Sequence, residues 1–295
     1  MSALPFDQRD GWIWFDGEFV PWKEANMHVV THGPHYASAV FEGIRSYKGH
    51  IFKLQEHNER LLKSGRDLDF EIPYTVEEIN KACYEALEKN NLSDAYLRPF
   101  AWRGSEQMGI SAQQTKIHLV VAVWEWPSYF SEEAREKGIA LKTSKWRRPA
   151  PESAPVFSKA AGLYMICTLS KHDAEASGCN DALMLDWRGQ VAEATGANIF
   201  LMKDGEIHTP TPDCFLNGIT RQTVMDLARK RGYKIHERAI MPDELPEFDE
   251  IFVTGTAAEV TAVGKIDDLE YTVGPITRAL RDDYETLVNS GSDTF

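Results

Sequence analysis

The sequence predicts a two-domain protein of the mixed α+β / α/β class, and three observations support this prediction. The chain has 295 residues, 43% of them hydrophobic, which is more than one usual domain and enough for two cores. Short apolar runs rich in β-branched and aromatic residues alternate with amphipathic helical patterns. A proline-aromatic and charged stretch separates two such series. We expect a small N-terminal α/β domain (1–127), an interdomain linker (128–137) and a larger C-terminal domain (138–295).

The N-terminal domain is predicted to open with a β-hairpin. Trp12-Ile13-Trp14-Phe15 combines aromatic and β-branched residues before the turn Asp16-Gly17. Thr75 and Glu78 form the Thr-x-x-Glu capping box of a helix, and apolar residues recur at helical spacing after it. Leucines at helical spacing predict another helix over 54–68, and apolar runs predict strands over 95–102 and 117–124.

The C-terminal domain shows the same alternation of strands and helices. A strand is predicted at 139–143, directly after the linker. Periodic segments that end at glycines or turn residues indicate the remaining elements, which are helices over 159–177, 220–231 and 276–288 and strands over 182–185, 199–202, 234–240 and 251–253.

Composition and charge disfavour several classes of function. Lysine and arginine total 32 against 45 acidic residues, a formal net charge of −13, which disfavours nucleic-acid binding because that requires a basic face. The N-terminus lacks a basic region followed by an apolar run, and no stretch approaches the roughly 18 apolar residues of a membrane span. Four cysteines without a Cys-x-x-Cys pair indicate reduced thiols and no structural zinc site. We therefore expect a cytoplasmic protein without a membrane partner.

Four clusters in the second half of the chain carry residues suited to one cofactor. They are Phe157-Ser158-Lys159-Ala160-Ala161-Gly162-Leu163-Tyr164, Val191-Ala192-Glu193-Ala194-Thr195-Gly196-Ala197-Asn198, Leu216-Asn217-Gly218-Ile219-Thr220-Arg221 and Gly255-Thr256-Ala257-Ala258-Glu259. A lysine among small and apolar residues can offer a neutral amine to an aldehyde. A carboxylate can pair with a ring nitrogen, and a helix start offers N–H groups and a hydroxyl to a phosphate. Pyridoxal 5'-phosphate (PLP) needs these three partners.

This ordered series resembles the class IV (D-amino acid and branched-chain aminotransferase) group of PLP enzymes over nearly the whole chain. The resemblance implies fold type IV, whose larger domain has a mixed, barrel-like sheet with flanking helices. It also implies that Lys159 is the catalytic residue, which forms the Schiff base and carries the proton, and that Glu193 binds the pyridine nitrogen. The other cofactor-binding residues that it implies are Arg60, Ile219, Thr220 and Thr256 for the phosphate, and Tyr164 near the phenolic oxygen.

Two motifs in the N-terminal domain concern the substrate. His35-Tyr36-Ala37-Ser38-Ala39-Val40-Phe41-Glu42-Gly43-Ile44-Arg45 and Ala95-Tyr96-Leu97-Arg98-Pro99 are similar to motifs of the branched-chain amino acid aminotransferases. By this resemblance, Arg98 receives the distal carboxylate of glutamate or 2-oxoglutarate. The remaining substrate-binding residues that it implies are Phe41, Trp126, Tyr129 and Tyr164 as apolar walls, Tyr96, Ala257 and Ala258 at the α-carboxylate, and Tyr36 from a neighbouring subunit.

The implied reaction is a ping-pong transamination of L-leucine, L-isoleucine or L-valine with 2-oxoglutarate. A site that takes Tyr36 from a neighbour implies at least a homodimer, with a hexamer as an open alternative, and Ile110 lies where the family's loop reaches over from the partner. The chain departs from the family at Ala161-Gly162-Leu163-Tyr164, where many relatives have Gly-Gly-Asn-Tyr, and at Ala262, where proline is common. These departures concern the substrate spectrum.

Other functions remain as alternatives at this stage. His28, His32 and His35 have the spacing of a zinc pair with a third histidine, but the glutamate of that motif is missing and Gly33-Pro34 disrupts a helix, so we expect no metal. No Gly-x-Ser-x-Gly motif supports a serine hydrolase. Within the fold, the alternatives are a D-amino acid aminotransferase, an (R)-selective amine transaminase and an aminodeoxychorismate lyase. A non-enzymatic acidic binding protein is the alternative from another class.

Overall fold

The computed structural model describes residues 4–126 and 136–294, which fall into two compact units. Of the described residues, the first unit comprises 4–126 with Ser158–Gly162 and Gly291–Asp293, and the second comprises the others. The segment Ser158–Gly162 therefore groups with the N-terminal part, whereas the sequence predicts that it belongs to the C-terminal domain. Most of the expected linker lies outside the described residues.

The first unit is built on a seven-stranded antiparallel sheet. Its strand order is β2-β1-β7-β6-β4-β5, and β3 pairs with β6. The expected hairpin of β1 and β2 is confirmed, and its two turn residues, Asp16 and Gly17, both have positive φ (48° and 101°), as a two-residue hairpin turn requires. The strands are β1 (Trp12–Phe15), β2 (Glu18–Pro21), β3 (Ala39–Phe41), β4 (Ile44–Tyr47), β5 (His50–Ile51), β6 (Ala95–Arg103) and β7 (Ile117–Glu125).

Three helices accompany this sheet: α1 (His32–Tyr36), α2 (Leu54–Asp67) and α3 (Val76–Lys89). The expected capping box starts α3, since Thr75 accepts from the Glu78 N–H and Glu78 accepts from the Thr75 N–H. The inner faces of α2 and α3 form the core with the sheet; its members include Leu61, Ile79 and Leu97, all fully buried. Apolar residues at helical spacing on the helices and at alternate positions on the strands explain this layering.

The second unit contains a nine-stranded mixed sheet. Its strand order is β10-β9-β8-β15-β14-β11-β12-β13, β16 pairs with β15, and β10 also pairs with β11. Six strands thereby close into a ring, and the closing pair is Glu193 of β10 with Asn198 of β11. The strands are β8 (Ile139–Arg148), β9 (Asp181–Asp186), β10 (Val191–Ala194), β11 (Asn198–Lys203), β12 (Glu206–Pro210), β13 (Ile235–Arg238), β14 (Glu250–Gly255), β15 (Glu259–Ile266) and β16 (Leu269–Glu270).

The α-helices of the second unit that lie wholly within the described residues are α4 (Met165–Ala176), α5 (Ile219–Lys230) and α6 (Pro275–Val288). Glycines with positive φ follow the first two, Gly178 (78°) and Gly232 (81°), as the sequence predicts. Short 3-10 helices lie at Phe6–Gln8, Trp22–Glu24, Ala161–Tyr164 and Pro242–Glu247. Among the described residues, no helix has the length and apolar character that a bilayer crossing demands.

The helix expected from Lys159 onward is wrong at its start. A 3-10 turn covers Ala161–Tyr164, and α4 begins only at Met165. Lys159 is not helical because its N–H and its C=O both bond to distant groups, the Ser64 hydroxyl and the Phe41 amide. The sequence pattern predicts no strand at β10, β12 or β15, since glycines, threonines or charged residues interrupt or border those segments.

Candidate active site

Lys159 occupies a segment of the first unit that is fixed by its main chain. Its N–H donates to Ser64 Oγ (3.0 Å), and its carbonyl accepts from the Phe41 N–H (3.2 Å). The adjacent Ala160 pairs with Val40 in an isolated antiparallel bridge. The Lys159 Nζ lies 5.1 Å from the centre of the Phe41 ring. The amine is thus carried by a backbone that tertiary contacts hold at both peptide groups, beside an aromatic face.

A buried ionic cluster directly follows strand β3. Glu42 is 0% exposed, and its carboxylate accepts from Arg60 Nε (2.7 Å) and Arg60 Nη2 (2.9 Å) and pairs with His57 Nδ1 (2.7 Å). Burial acts to raise the pKa of the Glu42 carboxyl, but the Arg60 charge and the contacts with His57 outweigh it and hold that pKa well below its usual range. Burial lowers the pKa of His57 in spite of Glu42. The cluster is therefore a charged carboxylate–guanidinium pair with a neutral imidazole.

Arg98 lies among aromatic rings on strand β6. Its guanidinium carbon is 4.7 Å from the centre of the Phe41 ring and 5.3 Å from that of Tyr96, and Nη2 donates to the Tyr96 hydroxyl (3.2 Å). Its Nε is buried without a hydrogen-bond partner, and no carboxylate in residues 4–126 or 136–294 pairs with Arg98. This half-buried cation is therefore suited to an anion from outside the chain.

The Tyr96 side chain packs against two tryptophans, and its hydroxyl occupies space that a glycine leaves open. Its ring centre lies 5.1 Å from that of Trp124 and 4.9 Å from that of Trp126. A Cβ on Gly43 would lie only 2.0 Å from the Tyr96 hydroxyl oxygen. Glycine at this position of the Phe-Glu-Gly motif is therefore what allows the tyrosine to reach Arg98. Tyr129, the other predicted aromatic wall residue of this part of the chain, lies outside the described residues.

Tyr36 and the segment around Ile110 share one exposed part of the first unit. The Tyr36 ring stacks on His32 at 4.5 Å, and its hydroxyl donates to the Met108 carbonyl (3.3 Å). The His32 Nε2 is 2.9 Å from the Gly109 carbonyl oxygen, which ties the same loop to α1. Tyr36 is 44% exposed and Ile110 is 88% exposed. Two residues predicted to meet a neighbouring subunit thus lie on an apolar surface.

Glu193 lies in the second unit on β10, where its pairing with Asn198 of β11 closes the ring of six strands. Its carboxylate is 3.2 Å from Arg148 Nε and accepts from Asn198 Nδ2 (3.3 Å). Burial acts to lower the pKa of the Arg148 guanidinium, but the Glu193 charge leads the effects that raise it above its ordinary value. The Arg148 side chain is 4% exposed and that of Glu193 is 10% exposed. A buried cation at ion-pair distance, whose Nε makes no aligned hydrogen bond among the described residues, and an amide donor therefore both stabilise this carboxylate.

Asn198 also connects Glu193 to the start of α5. Its Nδ2 donates to the Leu216 carbonyl (3.0 Å), and its Oδ1 accepts from the Gly218 N–H (3.1 Å). A Cβ on Gly218 would lie 2.3 Å from Asn198 Oδ1, so this close approach requires glycine. Gly218 is the N-cap of α5, whose first two residues, Ile219 and Thr220, provide main-chain N–H groups. The asparagine thus couples the acidic residue to a helix N-terminus.

The turn between β14 and β15 contains Thr256, Ala257 and Ala258. Thr254, at the end of β14, is 1% exposed, and its hydroxyl has no hydrogen-bond partner among the residues that the structure describes. A Cβ on Gly255 would lie 3.1 Å from the Gly196 carbonyl oxygen, so this turn approaches the loop after β10 closely. An unpartnered buried hydroxyl beside main-chain donors is a feature expected where a bound anion completes the hydrogen bonding.

Tyr164 lies at the N-cap of α4, where its carbonyl accepts from the Thr168 hydroxyl (3.1 Å). Tyr164 is among the residues whose proximity raises the pKa of Arg148, the partner of Glu193. The second unit therefore brings together Tyr164, Glu193 and the helix start at Gly218 through Arg148 and Asn198. The first unit brings together Lys159, Phe41, Arg60 and Arg98.

Each of these two groups, taken by itself, offers chemistry that PLP requires. A carboxylate held beside Arg148, a helix start with a glycine N-cap and an unpartnered Thr254 hydroxyl match a ring nitrogen and a phosphate. The fixed amine-bearing segment at Lys159 matches an aldehyde.

Sequence reasoning missed three of the residues that organise these groups: His57, Arg148 and Asn198. Asn198 ends the cluster that contains Glu193, so its place in the motif was a signal. Arg148 ends a long strand before Pro149, and His57 lies on the inner face of a helix. Neither position differs in pattern from an ordinary surface cation or a packed histidine.

Comparison with known proteins decides the family. A family model described as amino-transferase class IV matches residues 39–266 of the chain. The chain belongs to the class IV aminotransferases. The resemblance stated from the motifs is thereby confirmed.

Individual relatives of this aminotransferase are named more specifically, as branched-chain-amino-acid aminotransferases. The branched-chain-amino-acid aminotransferase of Pseudomonas aeruginosa is 42% identical over 292 residues, 97% of this chain and 95% of the relative. The protein of the same name from Escherichia coli is 36% identical over 283 residues, 93% of this chain and 92% of the relative.

Solved structures agree with the fold of this aminotransferase. The T.th. branched-chain amino acid aminotransferase with pyridoxamine 5'-phosphate superposes with a TM-score of 0.93 at 39% identity, over 96% of both chains. The Escherichia coli branched-chain amino acid aminotransferase also gives a TM-score of 0.93, at 34% identity over 97% of both chains. The expected fold type with its barrel-like sheet is confirmed.

Proposed function

We propose that this aminotransferase uses PLP to exchange the amino group of branched-chain L-amino acids (leucine, isoleucine and valine) with 2-oxoglutarate, giving branched-chain 2-oxo acids and L-glutamate. The observation that carries the proposal is Lys159, an amine on a main chain bonded at both its N–H and its C=O, beside the Phe41 ring. Relatives that match more than nine tenths of the chain are named branched-chain-amino-acid aminotransferases, which supports branched-chain amino acids as the substrate class.

We assign the cofactor contacts as follows. PLP, when bound, supplies an aldehyde that condenses with amines and a pyridinium ring that withdraws electrons from the reacting carbon. Lys159 would hold the aldehyde carbon covalently and, once a substrate amine has displaced it, would move the proton at the substrate α-carbon. Glu193 would bind the ring nitrogen, because Arg148 and Asn198 hold its carboxylate in one position. The other assigned groups are Arg60, Ile219, Thr220 and Thr256 at the phosphate and Tyr164 at the phenolic oxygen.

The substrate assignments follow from the first unit. Arg98 would bind the distal carboxylate of glutamate and 2-oxoglutarate, because it is a half-buried cation without a carboxylate partner in the described chain. A branched aliphatic side chain would contact the same aromatic surfaces without needing the cation, and burying it contributes about 1.5–3 kcal/mol. The assigned aromatic walls are Phe41, Trp126, Tyr129 and Tyr164, with Tyr96, Ala257 and Ala258 at the α-carboxylate.

We further propose a homodimer as the minimum assembly, with Tyr36 of one copy serving the site of another. The exposed apolar side chains of Val29 (82%), Tyr36 (44%), Met108 (41%) and Ile110 (88%) support this, since covering them would bury apolar area. We also propose a cytoplasmic location, supported by the four cysteines, none of which forms a disulfide, as is usual in a reducing compartment. Sedimentation of the full chain tests this assembly, and a monomer would refute the proposed dimer.

The function is tested with Lys159→Ala and a panel of half-reactions. The purified chain should show visible absorption from bound PLP, which L-leucine and L-glutamate each change, whereas D-alanine and (R)-1-phenylethylamine should not. The variant should lose the covalent absorption band and all turnover while it still binds PLP noncovalently. Full turnover in the variant would refute the assignment of Lys159, and a response to D-alanine or the amine alone would indicate one of the other transaminases of this fold.

A further inference from the structure

The buried cluster of Glu42, His57 and Arg60 contains more polar groups than a phosphate-binding arginine alone requires. Glu42 is 0% exposed and His57 is 3% exposed; the Glu42 carboxylate lies between the Arg60 guanidinium and the His57 ring and contacts both. Removing a carboxylate from water costs free energy that only close, well-oriented partners offset. The cluster supplies such partners through three side-chain contacts of 2.7 to 2.9 Å.

The geometry of the carboxylate–guanidinium contact fixes an orientation. Glu42 Oε1 accepts from Arg60 Nε and Glu42 Oε2 accepts from Arg60 Nη2, which is a two-point contact along one edge of the planar guanidinium. Such a bidentate pair restrains the plane and the rotation of the arginine head far more than one hydrogen bond does. The carboxylate is restrained in turn by His57 and by its own main chain, whose N–H donates to the Pro99 carbonyl (2.8 Å).

The same helix also holds the lysine segment. On α2, His57, Arg60 and Ser64 follow each other at spacings of three and four residues, so they lie along one side of the helix. Ser64 accepts the Lys159 N–H, and the residue before Glu42, Phe41, donates to the Lys159 carbonyl. The position of Arg60 is therefore set by the same short pieces of chain that set the position of Lys159.

We propose that Glu42 and His57 are positioning residues that hold the Arg60 guanidinium in the orientation in which it binds the cofactor phosphate. This rests on the proposed function, because it takes Arg60 as a phosphate ligand. Glu42 acts through Arg60 and touches neither the substrate nor the cofactor. His57 donates from Nδ1 to Glu42 and so selects the carboxylate rotamer that meets Arg60 along one edge.

The test compares two probes that differ only in the phosphate, PLP and pyridoxal. The full-length chain, wild type or Glu42→Gln, is freed of cofactor and titrated with each probe, and binding is followed by the absorption of the probe bound to Lys159. Glu42→Gln should weaken PLP binding on the order of 10- to 100-fold, by analogy with the loss seen when the hydrogen-bond partner of a metal-ligating residue is removed. Pyridoxal binding should change less than about threefold, because pyridoxal offers Arg60 no phosphate.

Two histidine variants keep the proposal falsifiable if Glu42→Gln does not fold. His57→Asn retains a side-chain N–H near the position of Nδ1 and should keep the wild-type preference for PLP over pyridoxal. His57→Leu removes that donor and should lose part of the preference. Equal preferences in both histidine variants and the wild type would overturn the role of His57.

Glu250→Gln is the matched control for loss of a buried glutamate. Glu250 is 6% exposed and accepts from the Thr277 N–H (3.0 Å) and the Thr277 hydroxyl (2.9 Å) at the start of α6. This control should lower stability without changing the ratio of the two affinities. A Glu42→Gln variant with an unchanged ratio, or with tighter PLP binding, would overturn the proposal, the latter because Glu42 would then compete with phosphate for Arg60. Failure of the wild-type chain to bind PLP would instead refute the proposed function.

Discussion

Replacement of Arg98 by methionine separates the two kinds of substrate that the proposed reaction must accept. Methionine keeps an unbranched apolar stem but removes the guanidinium. Among the described residues that guanidinium has one hydrogen bond, to the Tyr96 hydroxyl (3.2 Å), and it lies over the Phe41 ring at 4.7 Å. Because no carboxylate of the described chain pairs with it, removing the charge leaves no buried anion behind. We therefore expect the variant to fold with nearly unchanged stability.

The size of the effect follows from the contact that a distal carboxylate would make. A hydrogen bond to a charged partner contributes about 1.5–3 kcal/mol, which is a factor of about 13 to 160 in rate or affinity at about 1.36 kcal/mol per tenfold change. We expect the half-reaction with L-glutamate to lose that factor in Arg98→Met. The half-reaction with L-leucine should change less than about threefold, since an aliphatic side chain gains from apolar surface and not from the cation.

The assay is single-turnover absorbance of the bound cofactor with each amino acid over a range of concentrations. Arg98→Lys is the matched variant: it keeps the charge but loses the planar donors, so its glutamate reaction should lie between those of the wild type and Arg98→Met. Equal losses with glutamate and leucine in Arg98→Met would show that the guanidinium organises the site as a whole. The interpretation of Arg98 as the residue that recognises the distal carboxylate would then be wrong.

Two further outcomes are expected. Gly43→Ala should lower the free energy of unfolding by about 1–3 kcal/mol, because the new Cβ would lie 2.0 Å from the Tyr96 hydroxyl oxygen and that ring is packed against Trp124 and Trp126. Gly196→Ala, where an added Cβ meets nothing within 4 Å, is the control in the same urea titration, and equal stability of the two variants would contradict this argument. For His57, burial lowers the pKa in the folded state below the ordinary value of 6.5. As the pH drops below 6.5, the unfolded chain therefore binds a proton at this histidine before the folded chain does. The free energy of unfolding falls with pH in this range as a result. His57→Asn should therefore show a flatter dependence of unfolding free energy on pH in this range, and identical pH profiles would refute a neutral, buried His57.

The secondary structure was predictable where one local signal dominates. The box of Thr75 and Glu78 starts α3 as the sequence indicates, and Gly178 and Gly232 follow their helices with positive φ. The prediction failed around Lys159, where a helix was expected and the segment is not helical. The reason is that Ser64 and Phe41, distant in the chain, take the hydrogen bonds that a helix would have needed.

The residue types of the candidate site could be predicted from the sequence, but most of the contacts between them could not. Glu193 was singled out by its motif, but its partner Arg148 was not, because the two come together only when β8 and β10 enter the same ring of strands. Likewise the Phe-Glu-Gly motif indicated substrate contacts, whereas the structure shows its glutamate buried against Arg60 and His57. Spacing along one strand or helix predicts a shared face, but it carries no information on which faces meet.

The amino-acid sequence by itself determined the family, the order of most helices and strands, and the identity of the chemically reactive groups, because these depend on local patterns and on residue type. Only the tertiary structure decided which charges neutralise each other: Glu42 with Arg60, and Glu193 with Arg148. The physical reason is that a buried ion pair depends on distances of about 3 Å between groups that are far apart in the chain. Such distances are set by strand register and helix packing, which no short stretch of sequence encodes.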